Sequence, residues 1–463
     1  MINTSSKNKI RNENGPYSFP IDPSNYKADR SILRENDMNE QAPNPNDNIK
    51  NTEYTFLSIN KLGELIRSRK VSPVTVVSDC LERIERLNPR LNAFITVTAE
   101  QALQEAKLAE QEIEKGNWKG PLHGVPIGIK DMFDTAGIKT TAAFVHFQNR
   151  IPNRDAIAVT RLKDAGAIVI GKTNQHELAA GTTSIQSHYG TVHNPWNLNY
   201  IAGGSSGGSA VAVASGLCYA TLDTDAIGSC RLPASCCGVV GFKATYGLLN
   251  LQGVLEGEPV DETILTLAHA GVMTRSAEDT AILFKALLDP QDDRNKKILE
   301  WKFDTNQTTS FKIGFPKTFV ASDEIRTNFE IVKKKLASLG NTLCEIDVPL
   351  SPGFDLSRVR EHRADVAKIL FSDCDVLILP TTTETVLKIS DASSKGPLAL
   401  SSENTFFANY YGIPAISIPS GFSLDGLPIG FQIVAGQHEE EKIFELADRY
   451  QNEADRQLRH PIL

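Results

Sequence analysis

Residues 203–238 read GGSSGGSAVAVASGLCYATLDTDAIGSCRLPASCCG. Two glycine-flanked serine turns, one at Ser205-Ser206 and one at Ser229, bracket a run of small and apolar residues. Glycine allows positive φ and a close approach of backbone to a ligand. A serine held in such a turn is a candidate nucleophile, and neighbouring N–H groups are placed to bind a developing anion. Around Ser229 those groups belong to Ile227, Gly228 and Ser229 itself. Ser209–Gly216 predicts a helix of small residues packed on a sheet. Strands near Cys218–Leu222 and Val239–Phe242 bracket the second turn.

Working outward, GPLHGVPIGIKD (120–131) reads as a buried strand, with β-branched Val125, Ile127 and Ile129. Lys130 ends that apolar run. Burial disfavours the ammonium form, and a lysine brought down to roughly 7–8 serves as a general base. Taken by itself, the stretch better fits a lysine snorkelling to the surface from a strand end. Helix 155–164 and strand Ala167–Ile170 continue a β, α, β order. That order implies one large α/β domain over residues 53–463, with a mixed, mostly parallel sheet covered by helices. Ser72-Pro73 starts a helix with a serine cap and proline at the first position. Thr98 and Gln101 have the spacing of a capping box. Residues 290–310 and 381–400 read as loops, and 355–372 as one helix. Residues 1–52 are polar and without period, which reads as a disordered or loosely wrapped tail.

Composition limits the function. The 463 residues are 41% hydrophobic and carry a net charge of −8. That charge argues against nucleic-acid and anionic-membrane partners. No apolar run reaches the ~18–20 residues of a membrane span, and the first residues lack the apolar core of a secretory signal. Seven cysteines without a CxxC spacing read as reduced, buried thiols, hence a cytoplasmic protein. Cys236 and Cys237 read as small hydrophobes. His123, His176, His188 and His193 show no metal-ligand spacing and read as hydrogen-bonding residues.

Six segments form an ordered set: GPLHGVPIGIKD, GKTNQHELAAG, HYGTVHNPW, IAGGSSGGSAVAVASG, GSCRLPASCCGVVGFKATYG and GIPAISIPSGFSLDGLPIGFQIV. Together they resemble the amidase signature family over roughly residues 54–455. The resemblance implies that family's fold and hydrolysis of a small carboxamide through an acyl-serine intermediate. It implies Ser229 as nucleophile, Ser205 as a bridging serine after a cis peptide, and Lys130 as base. Ala226, Ile227 and Gly228 would frame the oxyanion hole, with Ser206 beside them. No metal or organic cofactor is implied, and self-association is left open.

The chain departs from the family pattern at three places. The serine loop usually reads Asp-Thr-Gly-Gly-Ser-Ile/Val-Arg; here Ile227 replaces the first glycine of the pair. A positive φ at that position would strain isoleucine by about 1–3 kcal/mol. Asp225 and Arg231 are retained and are expected to brace the loop. The segment 349–374 is short, which implies an open pocket, a pocket completed by another subunit, or a small substrate. Thr266-Leu267-Ala268-His269 stands where Ser-Leu-Asp is common, and this counts against a glutamyl-tRNA amidotransferase subunit. Two alternatives to a free-standing amidase follow. One is an impaired member that binds a ligand or partner. The other is the amidase subunit of a transamidation complex.

Overall fold

Short apolar runs between turn residues build one eleven-stranded sheet, in a computed structural model that describes residues 53–259, 261–303, 309–350, 354–454 and 459–463. In chain order the strands are β1 (Phe94–Val97), β2 (Pro126–Lys130), β3 (Ile168–Thr173), β4 (Ala220–Asp225), β5 (Val240–Lys243) and β6 (His269–Thr274). They continue as β7 (Lys312–Pro316), β8 (Thr342–Ile346), β9 (Val376–Pro380), β10 (Ala415–Phe422) and β11 (Pro428–Ala435). Their order across the sheet is β1-β3-β2-β4-β6-β5-β10-β11-β9-β7-β8. Helices pack against it, and the central strands β2, β3 and β4 are buried along their whole length. The single α/β domain with a mixed sheet is as expected.

The balance within the sheet is not as expected. Six of the ten neighbouring pairs are antiparallel, so the sheet is not mostly parallel. The parallel pairs β3–β2–β4 and β9–β7–β8 flank an antiparallel middle. That middle contains β6, whose register sets Asp225 opposite His269. It also contains β10–β11, joined by a connection too short for a parallel crossover.

Local signals hold at some helix ends and fail at others. Ser72 caps the helix Pro73–Leu91, its hydroxyl accepting from the Val74 N–H at 3.0 Å. The capping box does not form. Thr98 Oγ1 donates to the Val169 carbonyl at 2.8 Å, and Gln101 Nε2 donates to Glu105. Tertiary contact with β3 prevails over the local cap. Helices Lys296–Glu300 and Ile389–Lys395 lie inside the expected loops. The expected helix 355–372 is divided into Val359–Ala364 and Val366–Leu370, broken at Asp365. The expected tail, residues 1–52, lies outside the described residues.

A smaller apolar cluster lies apart from the main core. It joins Val359, Val366 and Leu370 to Phe406, Phe407 and Tyr410, and Ala226 and Ile227 of the serine loop pack on it. Val359, Val366 and Leu370 of the short segment thus back the serine loop.

Candidate active site

Lys130 is the last residue of β2, and β4 lies beside it in parallel register, with Ile129 opposite Leu222. The side chain is fully buried. Its Nζ donates to Ser205 Oγ at 2.7 Å and to Thr224 Oγ1 at 2.9 Å. Burial pushes the ammonium down to about 8, against the opposing charges of Asp223 and Asp225. This brings a poor base into the range where general-base chemistry works near neutral pH. Asp223, also fully buried, accepts from Thr221 Oγ1 at 2.6 Å. Burial raises its carboxyl to about 6, with Lys130 pulling the other way.

Ser205 follows a cis peptide from Gly204, as the family resemblance implies. Its loop enters the small-residue helix Gly207–Ala214. Small residues are required there: a Cβ at Gly208 would sit 2.3 Å from the Asn174 carbonyl oxygen. The Ser206 N–H donates to the Ser229 carbonyl at 3.3 Å, which ties the two serine turns together. Ser206 itself is fully buried and its hydroxyl turns toward Asp223. Its N–H joins the two turns, and its side chain, like those of Ser205 and Lys130, is absent from the wall of the cavity described below.

The serine loop is braced as its Asp and Arg predict. Arg231 Nε and Nη2 each donate to the Asp225 carboxylate at 3.0 Å. Asn409 Nδ2 adds a bond to Asp225 Oδ1 at 2.9 Å, and Arg231 reaches Gln432, Asn409 and the Thr405 carbonyl. Burial alone would raise the Asp225 carboxyl, but the Arg231 charge and these hydrogen bonds outweigh it and hold the group well below the usual carboxylate range.

The brace changes the expected set of oxyanion donors. The Gly228 N–H donates to Asp225 Oδ1 at 2.8 Å, so it is not free for a substrate. The N–H groups of Ala226, Ile227 and Ser229 have no acceptor among the described residues. Positive φ falls on Gly228, at 128°, and not on Ile227. A Cβ on Gly228 would sit 2.4 Å from Thr405 Oγ1. The isoleucine is therefore unstrained where it stands, and its carbonyl accepts from the Thr405 hydroxyl.

Ser229 keeps 5% of its surface exposed. It opens on a cavity of about 170 Å³ whose wall includes Met132, Leu178, Thr224, Ile227, Leu251 and Val254. Ile227 lines this cavity without plugging it, which counts against the impaired-member reading. The structure thus brings Lys130 to Ser205 directly and Ser205's turn to Ser229's turn through backbone.

Four histidines near the motifs are dispersed. His123 pairs with Glu112 at 3.0 Å, the Ser184 N–H reaches His176 Nδ1 at 3.2 Å, His193 bonds the Leu198 carbonyl, and His188 packs on Tyr189. Among the described residues no group of three or more His, Cys, Asp or Glu gathers as metal ligands would. No helix among them is long and apolar enough to cross a membrane.

Sequence reading missed Asp223, Thr224, Thr405, Asn409 and Gln432. The polar alternation Thr221, Asp223, Asp225 within an apolar strand was a usable signal for the first. The last three come from segments over 170 residues away, with no local mark.

A family model described as Amidase matches residues 75–356 and 355–444. Curated relatives include a glutamyl-tRNA(Gln) amidotransferase subunit of Bdellovibrio bacteriovorus, 33% identical over 85% of this chain and 96% of that one. The protein of the same name from Coxiella burnetii is 32% identical over 88% of this chain and 99% of that one. Among solved structures, a 6-aminohexanoate cyclic dimer hydrolase superposes with a TM-score of 0.75 at 25% identity, covering 88% of this chain and 99% of that one. The glutamyl-tRNA(Gln) amidotransferase subunit from Thermotoga maritima superposes with a TM-score of 0.69 at 27% identity, covering 87% and 95%.

Proposed function

From its membership of the amidase family, to which this chain belongs, we propose that it cleaves the C–N bond of a carboxamide through an acyl-Ser229 intermediate. The observation that carries the reading is the 2.7 Å contact between buried Lys130 and Ser205, on the turn bonded to that of Ser229. The neutral amine accepts a proton along the same line that the ammonium donates. Ser229 Oγ attacks the amide carbon while its proton passes to Ser205, and the proton of Ser205 passes to Lys130 Nζ. The N–H groups of Ala226, Ile227 and Ser229 receive the oxyanion, a role worth about 3–4 kcal/mol per donor. On collapse the proton returns through Ser205 to the leaving nitrogen, the C–N bond breaks, and ammonia or an amine departs. Water then attacks the acyl ester, the same path takes its proton, and the acid is released with Ser229 restored. A fluorophosphonate probe tests this. An adduct on Ser229, together with amide turnover that Ser229→Ala abolishes, is expected; no adduct and no turnover would end the reading.

The names of the curated relatives favour a second setting for the same chemistry over a free-standing amidase. In it the chain is the amide-cleaving subunit of a transamidation complex, with a protein partner and a charged tRNA as acceptor. The net charge of −8 was read against a nucleic-acid partner, and the Thr266–His269 departure against this setting; the relatives point the other way on both. Co-purification of a stable partner from the native cell supports this setting. A chain that elutes alone and hydrolyses amides unaided opposes it. The free, mostly buried cysteines fit a reducing cytoplasm in either setting.

A further inference from the structure

We propose that the Ser229 cavity takes uncharged, apolar acyl groups and that glutamine is a poor substrate for this chain. The inference rests on the acyl-Ser229 reading and names its substrate class. The cavity wall is built chiefly from Leu178, Leu251, Val254, Leu255, Ile264 and Leu265, with small alanines between them. No lysine, arginine or histidine among the described residues lines it. The zwitterionic end of L-glutamine would bring in a carboxylate that no cation among the described lining residues meets. Burying an unpaired carboxylate is strongly unfavourable, while apolar surface gains on entry.

The two carboxylates in the wall sharpen the point. Glu258 is paired with Arg150 at 3.2 Å, and Asp261 Oδ1 accepts from the Thr263 N–H at 2.6 Å. Neither offers a partner to a substrate carboxylate. The volume of about 170 Å³ is close to that of cavities of about 150 Å³ known to hold a benzene ring. A phenyl ring or a short alkyl chain fits that space. The direction of entry follows from the proton path. The leaving nitrogen must face Ser205 to receive its proton, and neither Ser205 nor Lys130 is part of the cavity wall. The cavity therefore receives the acyl side.

The test uses the purified full chain with phenylacetamide, hexanamide, L-asparagine and L-glutamine. It is run beside fluorophosphonate labelling of Ser229. The expected result is a kcat/KM for phenylacetamide at least a hundredfold above that for L-glutamine. The Ile264→Lys variant, on a partly exposed helix, should lower phenylacetamide turnover about tenfold and narrow the gap to glutamine. An adduct on Ser229 without any preference for apolar amides, including no turnover of any amide, overturns the pocket assignment alone. Absence of the adduct overturns the acyl-serine reading and the pocket assignment with it.

Discussion

Lys130 and Lys172 lie on adjacent parallel strands, both fully buried, and burial brings both down to about 8. Their surroundings separate them. Lys172 Nζ donates to the Phe133 carbonyl and to Thr135 and Thr140 hydroxyls, the latter at 3.1 and 2.9 Å, and stands 4.0 Å from Asp131. Its charge is matched by a carboxylate, and it stitches the loop that follows β2. Among the described residues Lys130 hydrogen-bonds only hydroxyls, and one of them, on Ser205, lies on the turn bonded to that of Ser229. A depressed lysine is thus common to both sites. What separates them is the place of those partners: one hydroxyl of the Lys130 site sits on the turn joined to Ser229, while those of the Lys172 site belong to the loop after β2, beside Asp131.

Substitution should break the comparison most sharply at the relay. Ser229→Ala, Ser205→Ala and Lys130→Met are each expected to lower kcat by about 10³-fold or more. Steady-state kinetics with phenylacetamide would check this. Lys130→Met removes a buried cation and leaves the buried Asp223 carboxyl without it, so a modest fall in melting temperature is expected beside the loss of turnover. Retained turnover in any of the three would dissolve the distinction between the lysines.

Lys172→Met should do the reverse. It leaves the buried Asp131 without its cation, at a cost of about 3–5 kcal/mol in stability. Denaturant unfolding should show that loss, while the folded fraction keeps turning over. A variant as stable as the parent would show that the Lys172–Asp131 pair contributes nothing net.

pH separates the two more finely. Only neutral Lys130 accepts a proton from Ser205, so kcat/KM should rise as pH rises through about 8. The titratable groups around it are Asp223, Asp225 and Cys230; the aspartates favour the ammonium, and burial holds Cys230 as a neutral thiol. Removing one negative neighbour in Asp223→Asn should move the rising limb to lower pH. An unmoved limb would mean that Asp223 only packs against the helix at 207–214.

The smallest effect is expected at Ile227. With positive φ at Gly228 instead, Ile227→Gly relieves no strain. The expected change in stability is a loss of about 0.5–1 kcal/mol from added chain freedom. The larger change should be a higher KM for apolar amides, since the side chain walls the cavity. A gain in both kcat and melting temperature would show that isoleucine burdens the loop.

Much of this was legible beforehand. The β-branched run before Lys130 announced β2, and the Ser72-Pro73 start was visible as a helix signal. Strand β6 was missed because His269 and Gly271 interrupt its apolar pattern, and its pairing to β4 and β5 is long-range. The capping box failed because Thr98 found the Val169 carbonyl of a neighbouring strand. Oxyanion donors were over-counted because the Asp225 side chain, braced by Arg231, turns back onto the Gly228 N–H.

Read alone, the chain determines the ordered motifs, the large α/β domain, and the three residues that the family resemblance puts forward for the relay. These are local matters of residue type, turn chemistry and spacing. The tertiary structure decided the rest: the antiparallel centre of the sheet, the brace from Asn409 and Gln432, and which N–H groups stay free. It also decided that Lys130 meets a serine while Lys172 meets a carboxylate. Hydrogen bonds between distant segments and the loss of water around a buried charge depend on the whole fold, and no stretch of sequence carries them by itself.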